Sequence, residues 1–306
     1  MTKSVSSSTE AGADVQWARD ILESACEEVG LDPSGATLIK FTNNAVYRLD
    51  SAPITVRIAG SATVRLRVPK IIAVARWLAQ NNMPSVRLVD ELPQPLRIDT
   101  NAITFWHTVI PGEGALLPDG HDLGRILRRY HALPRPPFDL PEWDLLSSIR
   151  QRLEEDEVLT PSEHRFLEHT HTELAQQLAT VEYQLPAGPI HGDGFVGNLI
   201  AGPAGTVICD FDSASHGPRE WDLTPVAVGK LRFRYPTDYQ RQVVAEYGFD
   251  IAHWPHFPVL RRLRELQLVT SVLPVLRSNP TLLDQWRHRF TSFRNNDPAA
   301  TWTTYS

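Results

Sequence analysis

Oxygen-bearing side chains are concentrated in one stretch of the chain, residues 188–223, which reads GPIHGDGFVGNLIAGPAGTVICDFDSASHGPREWDL. Asp193 and Asn198 fall on a segment that glycines interrupt, so it is predicted to be a loop. Asp210 ends the apolar run Val207–Cys209, which predicts a buried strand. The turn at 201–205 folds this strand back on the preceding residues, and we therefore expect Asp210 to lie close to Asn198.

A carboxylate and an amide oxygen that face a common point form a site of hard oxygen ligands. Mg²⁺ that carries phosphates suits such a site, because it keeps several waters and needs only one or two protein ligands. Asp193 stands five positions before Asn198, near enough to accept or orient a hydroxyl proton during phosphoryl transfer. The spacing therefore predicts a magnesium-dependent phosphoryl-transfer site, with an acidic turn that binds nothing as the alternative.

This pattern resembles the aminoglycoside phosphotransferase family, a group of small-molecule phosphotransferases with the protein-kinase-like fold. The resemblance rests on His191-Gly192-Asp193, Asn198, Asp210-Phe211-Asp212, Gly217-Pro218 and Trp221-Asp222-Leu223. Its specific part is residues 189–223, although it covers most of the chain from about residue 30.

The resemblance implies a role for each residue of the motif. Asp193 would be the catalytic aspartate, and Asn198 and Asp210 would bind Mg²⁺. Asp222 would be a structural carboxylate that braces the catalytic loop. His191 would support the same loop, and Asp212 is either a second metal contact or a solvated residue.

The N-terminal half carries weaker matches to the same family. Arg57 stands where the family has a phosphate-contacting lysine, and the alternative is a solvent-facing strand arginine. The loop over the phosphates would be Thr42-Asn43-Asn44-Ala45, which has no glycine. Residues 105–109 would form the adenine hinge, with His107 and Val109 binding through backbone groups.

One departure from the family concerns the partner of that cation. Kinase-like enzymes usually pair it with a glutamate on the helix of the N-terminal lobe, but this chain has no acidic residue between Asp50 and Asp90. We expect one of three outcomes: a carboxylate from elsewhere orients Arg57, Arg57 contacts nucleotide without a partner, or the site is impaired.

The elements that must position these residues follow from hydrophobic periodicity. Residues 15–29 predict an amphipathic helix. Residues 30–107 predict a five-stranded sheet with one helix that Pro69 opens. The predicted strands are TLIKF, AVYRL, ITVRI, VRLV and AITFW. Later helices are predicted near 121–132, 145–155, 162–182, 237–247, 257–277 and 281–291.

The fold class is therefore α+β, with a β-rich N-terminal lobe and a mainly helical C-terminal lobe, and the resemblance implies that this is the protein-kinase-like bilobal fold. The predicted divisions are a disordered tail over 1–13, a nucleotide-binding lobe over 14–107, a hinge at about 105–112, and a C-terminal lobe over 113–306 that holds the catalytic loop and the acceptor site.

Composition narrows the class of partner. The 306 residues carry a net charge of −6, which does not favour nucleic acid or an anionic membrane as a partner. Cys26 and Cys209 are too few for a disulfide framework, so a reducing cytoplasm is expected. No apolar run is long enough to span a membrane. A monomer or a homodimer fits equally well.

The acceptor follows from the charge of the C-terminal region. From Lys230 to the end, eleven Lys and Arg residues stand against six Asp and Glu residues. A pocket for a polycationic aminoglycoside should be acidic, so the acceptor is expected to be a neutral or anionic small molecule with a free hydroxyl. ATP or GTP would donate the phosphoryl group. An antibiotic-inactivating or self-resistance kinase is favoured, and the alternatives are a metabolic kinase for a hydroxy acid, sugar or amino alcohol, or a pseudokinase that only binds.

Two other motifs have simpler interpretations. Gly192, Gly194 and Gly197 spell a dinucleotide-binding pattern, but the glycines and the proline at 202–205 exclude the helix that this fold needs there. His164 and His171 could share a helix face and bind a metal, although a solvated face is the favoured interpretation.

Overall fold

The computed structural model describes residues 6–41, 44–277 and 279–305, with side chains from residue 16. The helices are α1 (Ser6–Val29), α2 (Ala62–Gln80), α3 (Gly120–His131), α4 (Leu145–Glu154), α5 (Pro161–Leu178), α6 (Glu220–Arg232), α7 (Tyr239–Tyr247), α8 (Phe257–Thr270), α9 (Leu273–Leu276) and α10 (Leu283–Arg294). The strands are β1 (Thr37–Phe41), β2 (Asn44–Arg48), β3 (Ile54–Ala59), β4 (Leu96–Ile98), β5 (Asn101–His107), β6 (Gly188–Ile190), β7 (Leu199–Gly202), β8 (Gly205–Ile208) and β9 (Ser215–Gly217).

These elements form two compact units. The first comprises Met1–Pro118, Pro136–Leu140 and Gly197–Ala214, and the second comprises Asp119–Arg135, Pro141–Val196 and Ser215–Ser306. The β7–β8 hairpin thus groups with the N-terminal sheet, whereas the sequence division assigned it to the C-terminal lobe. The reason is that Ile208 exchanges backbone hydrogen bonds with Pro84 and Val86, both at 3.0 Å.

The first unit contains a five-stranded antiparallel sheet in the order β1-β2-β3-β5-β4. Buried and partly exposed residues alternate over most of β2 and β3, whereas six consecutive residues of β5 are buried. Val56, Ile58 and Phe105 share one core cluster with Ala18 and Leu22 of α1. The predicted α+β fold with a β-rich N-terminal part is confirmed.

The fourth strand is not the one that the sequence predicted. Residues 86–89 make hydrogen bonds to different partners, Ile208 at one end and Phe105 at the other, so no continuous ladder forms. Leu96–Ile98 takes the place instead, because a two-residue turn with Asp99 at φ 51° folds β4 back onto β5.

Three helix boundaries also differ from those that hydrophobic periodicity predicts. Helix α1 begins at Ser6, inside the predicted 1–13 tail, where alanines at 11 and 13 favour helix. Helix α2 begins at Ala62 rather than at Pro69, because the Ser61 hydroxyl caps it by accepting from the Val64 N–H at 3.3 Å. The helix predicted over 257–277 is divided into α8 and α9.

The second unit is mainly helical, and α8 contacts α4, α5, α6 and α10. Helix α6 was not predicted. Most of its residues are buried, so it shows no amphipathic period, and it contains Pro225. In the described ranges, no helix combines the length and apolar character needed to cross a membrane.

A buried cation joins α6 to α8 and to the segment after α10. Arg232 is fully buried and donates from Nε to Glu265 at 2.7 Å. Its Nη1 donates to the carbonyl oxygens of Asp297 and Ala300 at 2.6 and 3.2 Å. The guanidinium carbon lies 4.9 Å from the centroid of the buried Trp302 ring.

Candidate phosphoryl-transfer site

The β7–β8 hairpin carries both predicted metal ligands. Asn198 directly precedes β7 and is buried, and its carbonyl oxygen accepts from the Cys209 N–H at 2.9 Å. Because Leu199 pairs with Ile208, Asn198 and Asp210 lie at the same end of the hairpin, away from its turn. Asp210 has a left-handed φ of 67°. Residues other than glycine adopt this conformation at a cost in free energy, and such residues often occur at functional sites.

These residues fit Mg²⁺ by the chemistry of their donors. They supply one carboxylate oxygen and one amide oxygen, which are ligands that Mg²⁺ accepts. In the described ranges, no cluster of three or more His, Cys, Asp or Glu side chains forms a different metal site. Burial, a hydrogen bond with Asp212 and the charge of Asp212 raise the pKa of Asp210 to about 6. A bound cation would relieve this cost by favouring the ionised carboxylate. The Lys40 ammonium lies 3.7 Å from Asp210 Oδ2.

Arg57 of β3 is paired with Asp212. Its Nη2 lies 2.7 Å from Oδ1 and 2.6 Å from Oδ2, and both side chains are about five-sixths buried, with 15% and 16% exposed. Burial raises the pKa of Asp212, but the charge of Arg57 and hydrogen bonds from Asp210 and Arg57 outweigh it, so the pKa lies below its usual value. Of the three outcomes expected for Arg57, the structure has the carboxylate from elsewhere.

Helix α2, which has no glutamate, contributes a lysine to this group of residues. Lys70 Nζ donates to the backbone carbonyl oxygens of Asp212 and Ala214 at 2.7 and 2.9 Å. Burial and the charge of Arg67 lower the pKa of Lys70 to about 8, against the opposing effect of Asp212. Lys70 thus holds the segment that follows Asp210, a contact that the sequence analysis did not predict.

A cavity of about 220 Å³ opens beside these groups in the first unit. Arg57, Asn44, His107 and Val109, all predicted nucleotide contacts, line it together with Asp210. Thr42 and Asn43 lie outside the described residues. Lining residues that the sequence analysis missed are Ile39, Lys40, Val46, Thr55, Ile71, Val86, Trp106, Ile200, Cys209 and Phe211.

The second unit holds the predicted catalytic loop. Strand β6 pairs with β9 and ends at Ile190, which delivers His191-Gly192-Asp193 directly after it. Gly192 has a φ of 84°, which a glycine adopts without strain. The Asp193 N–H donates to Nδ1 of the fully buried His191 at 3.4 Å, so the His191 ring contacts the backbone of the loop.

Asp222 contacts the backbone of the loop that carries Asp193. It is fully buried, and its carboxylate accepts from the backbone N–H groups of His191 and Gly192, both at 2.7 Å. Nε2 of His131 lies 2.9 Å from the same carboxylate, and Nδ1 of His131 lies 2.7 Å from the Tyr247 hydroxyl. Burial raises the pKa of Asp222, but its hydrogen bond and the charges of His131 and His191 bring it below the usual value.

Asp193 also has a cationic partner that sequence reasoning missed. Nη2 of Arg264, on α8, lies 2.8 Å from Asp193 Oδ1. No sequence motif signals this pair, because the two residues are 71 positions apart and Arg264 belongs to an ordinary amphipathic helix.

The glycine motif and the histidine pair have different outcomes. Val196–Asn198 is a single 3₁₀ turn followed by β7, so no helix follows the third glycine, as expected. The solvated face expected for the histidines is wrong for His171, which is buried on α5. Nε2 of His164 and Nε2 of His171 lie 3.0 Å from the backbone carbonyl oxygens of Leu153 and Leu146, respectively.

Solved structures with the same fold include three with different acceptors in their names. A choline/ethanolamine kinase family protein from Mesorhizobium loti has a TM-score of 0.62 at 18% identity and covers 92% of this chain and 93% of its own. The amicoumacin kinase hAmiN, in complex with AMP-PNP, Ca²⁺ and Ami, has a TM-score of 0.63 at 15% identity and covers 89% of this chain and 91% of its own. The GDP complex of an aminoglycoside 2'-phosphotransferase mutant has a TM-score of 0.60 at 16% identity and covers 87% of this chain and 93% of its own. At these identities the likeness establishes the kinase-like fold.

Comparison by sequence identifies the family. A search among curated proteins finds no match. The sequence model of the phosphotransferase enzyme family, however, matches residues 39–266, which include Arg57, Asp193, Asn198 and Asp210. The chain therefore belongs to the phosphotransferase enzyme family, the kinase-like enzymes that its motif predicted.

Proposed function

We propose that the protein transfers the γ-phosphoryl group of ATP or GTP to a hydroxyl of a neutral or anionic small molecule. Asn198 and Asp210 would hold Mg²⁺, which would supply charge neutralisation for the phosphates. The observation that carries the proposal is the placement of these two oxygen donors at one end of a hairpin, beside a cavity that Arg57 also lines.

The cavity supports a nucleotide as the co-substrate. Its volume of about 220 Å³ is smaller than the roughly 300–1,000 Å³ of a pocket for a whole ligand, so it suits part of a nucleotide, such as the base. The end of β5, at His107, supplies backbone groups at its wall, and Arg57 and Lys40 supply positive charge for phosphate oxygens. AMP-PNP and GDP in the named relatives support ATP or GTP without choosing between them.

Asp193 aligns the acceptor hydroxyl for attack. The loop that carries it is fixed by the contacts of Asp222, so the carboxylate is pre-oriented rather than mobile. Catalysis then consists of positioning and charge neutralisation, and no covalent enzyme intermediate is needed.

The acceptor class follows from charge. Eleven basic and six acidic residues from Lys230 onward oppose a polycationic acceptor. An antibiotic-inactivating or self-resistance role is favoured, and the amicoumacin kinase is a relative in fold with an antibiotic acceptor. A metabolic kinase is the alternative, and the choline/ethanolamine kinase family protein is a relative of that kind. The free Cys26 and Cys209 suit a reducing cytoplasm.

The decisive experiment is transfer of labelled phosphate from ATP or GTP to a panel of hydroxylated compounds in the presence of Mg²⁺. Wild type is compared with Asp193→Ala and Asp210→Ala, and with Asp90→Ala as a surface control. We expect both site variants to lose at least about a hundredfold in rate and the control to lose nothing. Equal residual transfer in all four proteins would contradict these roles, and nucleotide binding without transfer in wild type would favour the pseudokinase.

A further inference from the structure

The carboxylate of Asp193 lies next to the guanidinium of Arg264. Arg264 donates from Nη1 to Gln267 Oε1 at 2.6 Å, and its Nη2 lies 2.8 Å from Asp193 Oδ1. The side chain of Asp193 is 31% exposed and that of Arg264 is 11% exposed. A ligand that reaches Asp193 therefore meets the edge of a largely buried cation.

The charge of Arg264 is not absorbed by the acidic residue next to it. Glu265 is occupied by Arg232 and Arg261, at 2.7 and 2.9 Å, and Arg262 Nη1 lies 3.9 Å from its other oxygen. Three carboxylates lie near four arginines in this group: Glu265 and Asp193 in direct contact, and Glu173 through its charge on Arg262. The four positive charges therefore exceed the three negative ones, whereas a pocket for an ammonium-bearing acceptor needs the opposite balance.

We infer that the acceptor carries an oxyanion, a carboxylate or a phosphate, close to the hydroxyl that is phosphorylated, and that Arg264 binds this group. The inference rests on the proposed phosphotransferase function. A hydroxyl aligned by Asp193 lies within about 3 Å of that carboxylate, so the neighbouring atoms of the acceptor lie beside the guanidinium. Among the described residues, Gln267 and Asp193 engage two of its five N–H donors, and a planar fork suits a further oxyanion.

The test uses matched pairs of acceptors that differ only in charge. Hydroxy acids such as glycerate and 4-hydroxybutyrate are compared with their carboxamides, and sugar phosphates with the free sugars, with labelled ATP as donor. The variants are Arg264→Gln, Arg264→Lys and Arg287→Gln. Arg287 is exposed on α10 and serves as a control for loss of one positive charge.

In wild type we expect the anionic member of a pair to have a kcat/KM about ten- to a hundredfold above its neutral partner. Because Arg264 also contacts Asp193, Arg264→Gln should slow transfer to both members, but it should remove the preference by raising KM for the anion only. Arg264→Lys should retain part of the preference, and Arg287→Gln all of it. Thermal unfolding of each variant verifies that it is folded.

Equal use of both members by wild type, or a preference that persists in Arg264→Gln, would overturn the inference while the proposed function stands. An equal loss of kcat/KM for both members in Arg264→Gln would also overturn it, since the preference would then persist and Arg264 would act only by holding Asp193. Absence of transfer to every compound, with nucleotide binding intact, would instead overturn the proposed function and the inference with it.

Discussion

Arg57 and Asp212 are 155 residues apart in sequence, yet one guanidinium nitrogen reaches both oxygens of the carboxylate, at 2.7 and 2.6 Å. The residue two positions after the metal-ligand candidate Asp210 thus supplies the ion-pair partner that the helix of the sheet unit lacks. The pair links the strand cation to the segment that carries the candidate metal ligand Asp210, so Arg57 has a carboxylate partner without a glutamate on α2.

Removal of one member of this pair should impair nucleotide use. In Asp212→Asn we expect kcat/KM for ATP to fall about ten- to a hundredfold, because Arg57 loses the charge that orients it. Steady-state kinetics with varied ATP measures the change, with the exposed Asp90→Asn as the control. In a double-mutant cycle, Arg57→Ala combined with Asp212→Ala should raise the activation free energy for ATP use by less than the sum of the two single changes. Strictly additive losses would show that the two residues act independently.

Lys70 should make stability depend on pH in the alkaline range. Its pKa is lowered to about 8 in the folded protein from an ordinary value of 10.5, mainly by burial. The unfolded chain therefore binds more protons between these two values, and the folded state gains stability as the pH rises from about 8 towards 10.5. Below about pH 8 the full cost of the buried charge is present.

The comparison is between wild type and Lys70→Met in thermal unfolding at pH 7.5, 9 and 10. We expect wild type to gain in Tm relative to Lys70→Met as the pH rises, while the exposed Lys230→Met follows wild type. A constant difference between wild type and Lys70→Met across the range would rule out this titration.

Asp222 should matter to both stability and activity. In Asp222→Asn, the carboxylate that accepts from His191, Gly192 and His131 is replaced by a group with one acceptor oxygen. We expect unfolding free energy to fall by about 3 kcal/mol and kcat to fall more than a hundredfold as the loop of Asp193 loosens. Urea denaturation and phosphate transfer measure the two effects.

The pH dependence of the Asp222 contribution has a defined sign. Since the folded pKa lies below the ordinary 3.8, the stabilisation is present above that value and is lost as the pH falls through the folded pKa. Wild type and Asp222→Asn should therefore converge in stability at acid pH. A gap that stays constant down to acid unfolding would contradict the assignment.

The two thiols should be slow to react in the folded protein. Burial raises the pKa of Cys26 to about 11 and, with the charge of Asp210, that of Cys209 to about 12. At pH 8 we expect both to react with Ellman's reagent at least tenfold more slowly than in urea. Because Cys209 lines the cavity, nucleotide should slow its residual reaction and leave that of Cys26 unchanged. Nucleotide protection of Cys26 in a Cys209→Ser variant would be inconsistent with the assignment of the cavity.

Local sequence signals were sufficient for much of the sheet and of the motif. Three strands follow one another with turn residues between them, so β1, β2 and β3 are apparent from alternation alone. The two metal-ligand candidates flank a short hairpin, and their proximity follows from its register. Helix α6 lacks such a signal, because a helix buried on most sides has no polar face.

The partners of the charged residues could not be read in the same way. Asp212 meets Arg57, Arg264 meets Asp193 and His131 meets Asp222 only because distant segments pack together. None of these pairs has a characteristic spacing in the sequence. Each arginine or histidine, taken alone, cannot be distinguished from an ordinary surface residue. The charge count of the C-terminal region predicts an excess of positive charge there, but it does not identify Arg264 as the residue beside Asp193.

The contacts of Arg232 have a consequence for biosynthesis. Two of the carbonyl acceptors of this fully buried cation belong to Asp297 and Ala300, some 65 residues downstream of it. Until that stretch has emerged from the ribosome, α6 and α8 enclose a guanidinium with missing acceptors, which is costly. The helical unit is thus expected to reach its final packing late in translation, after the sheet has had time to form.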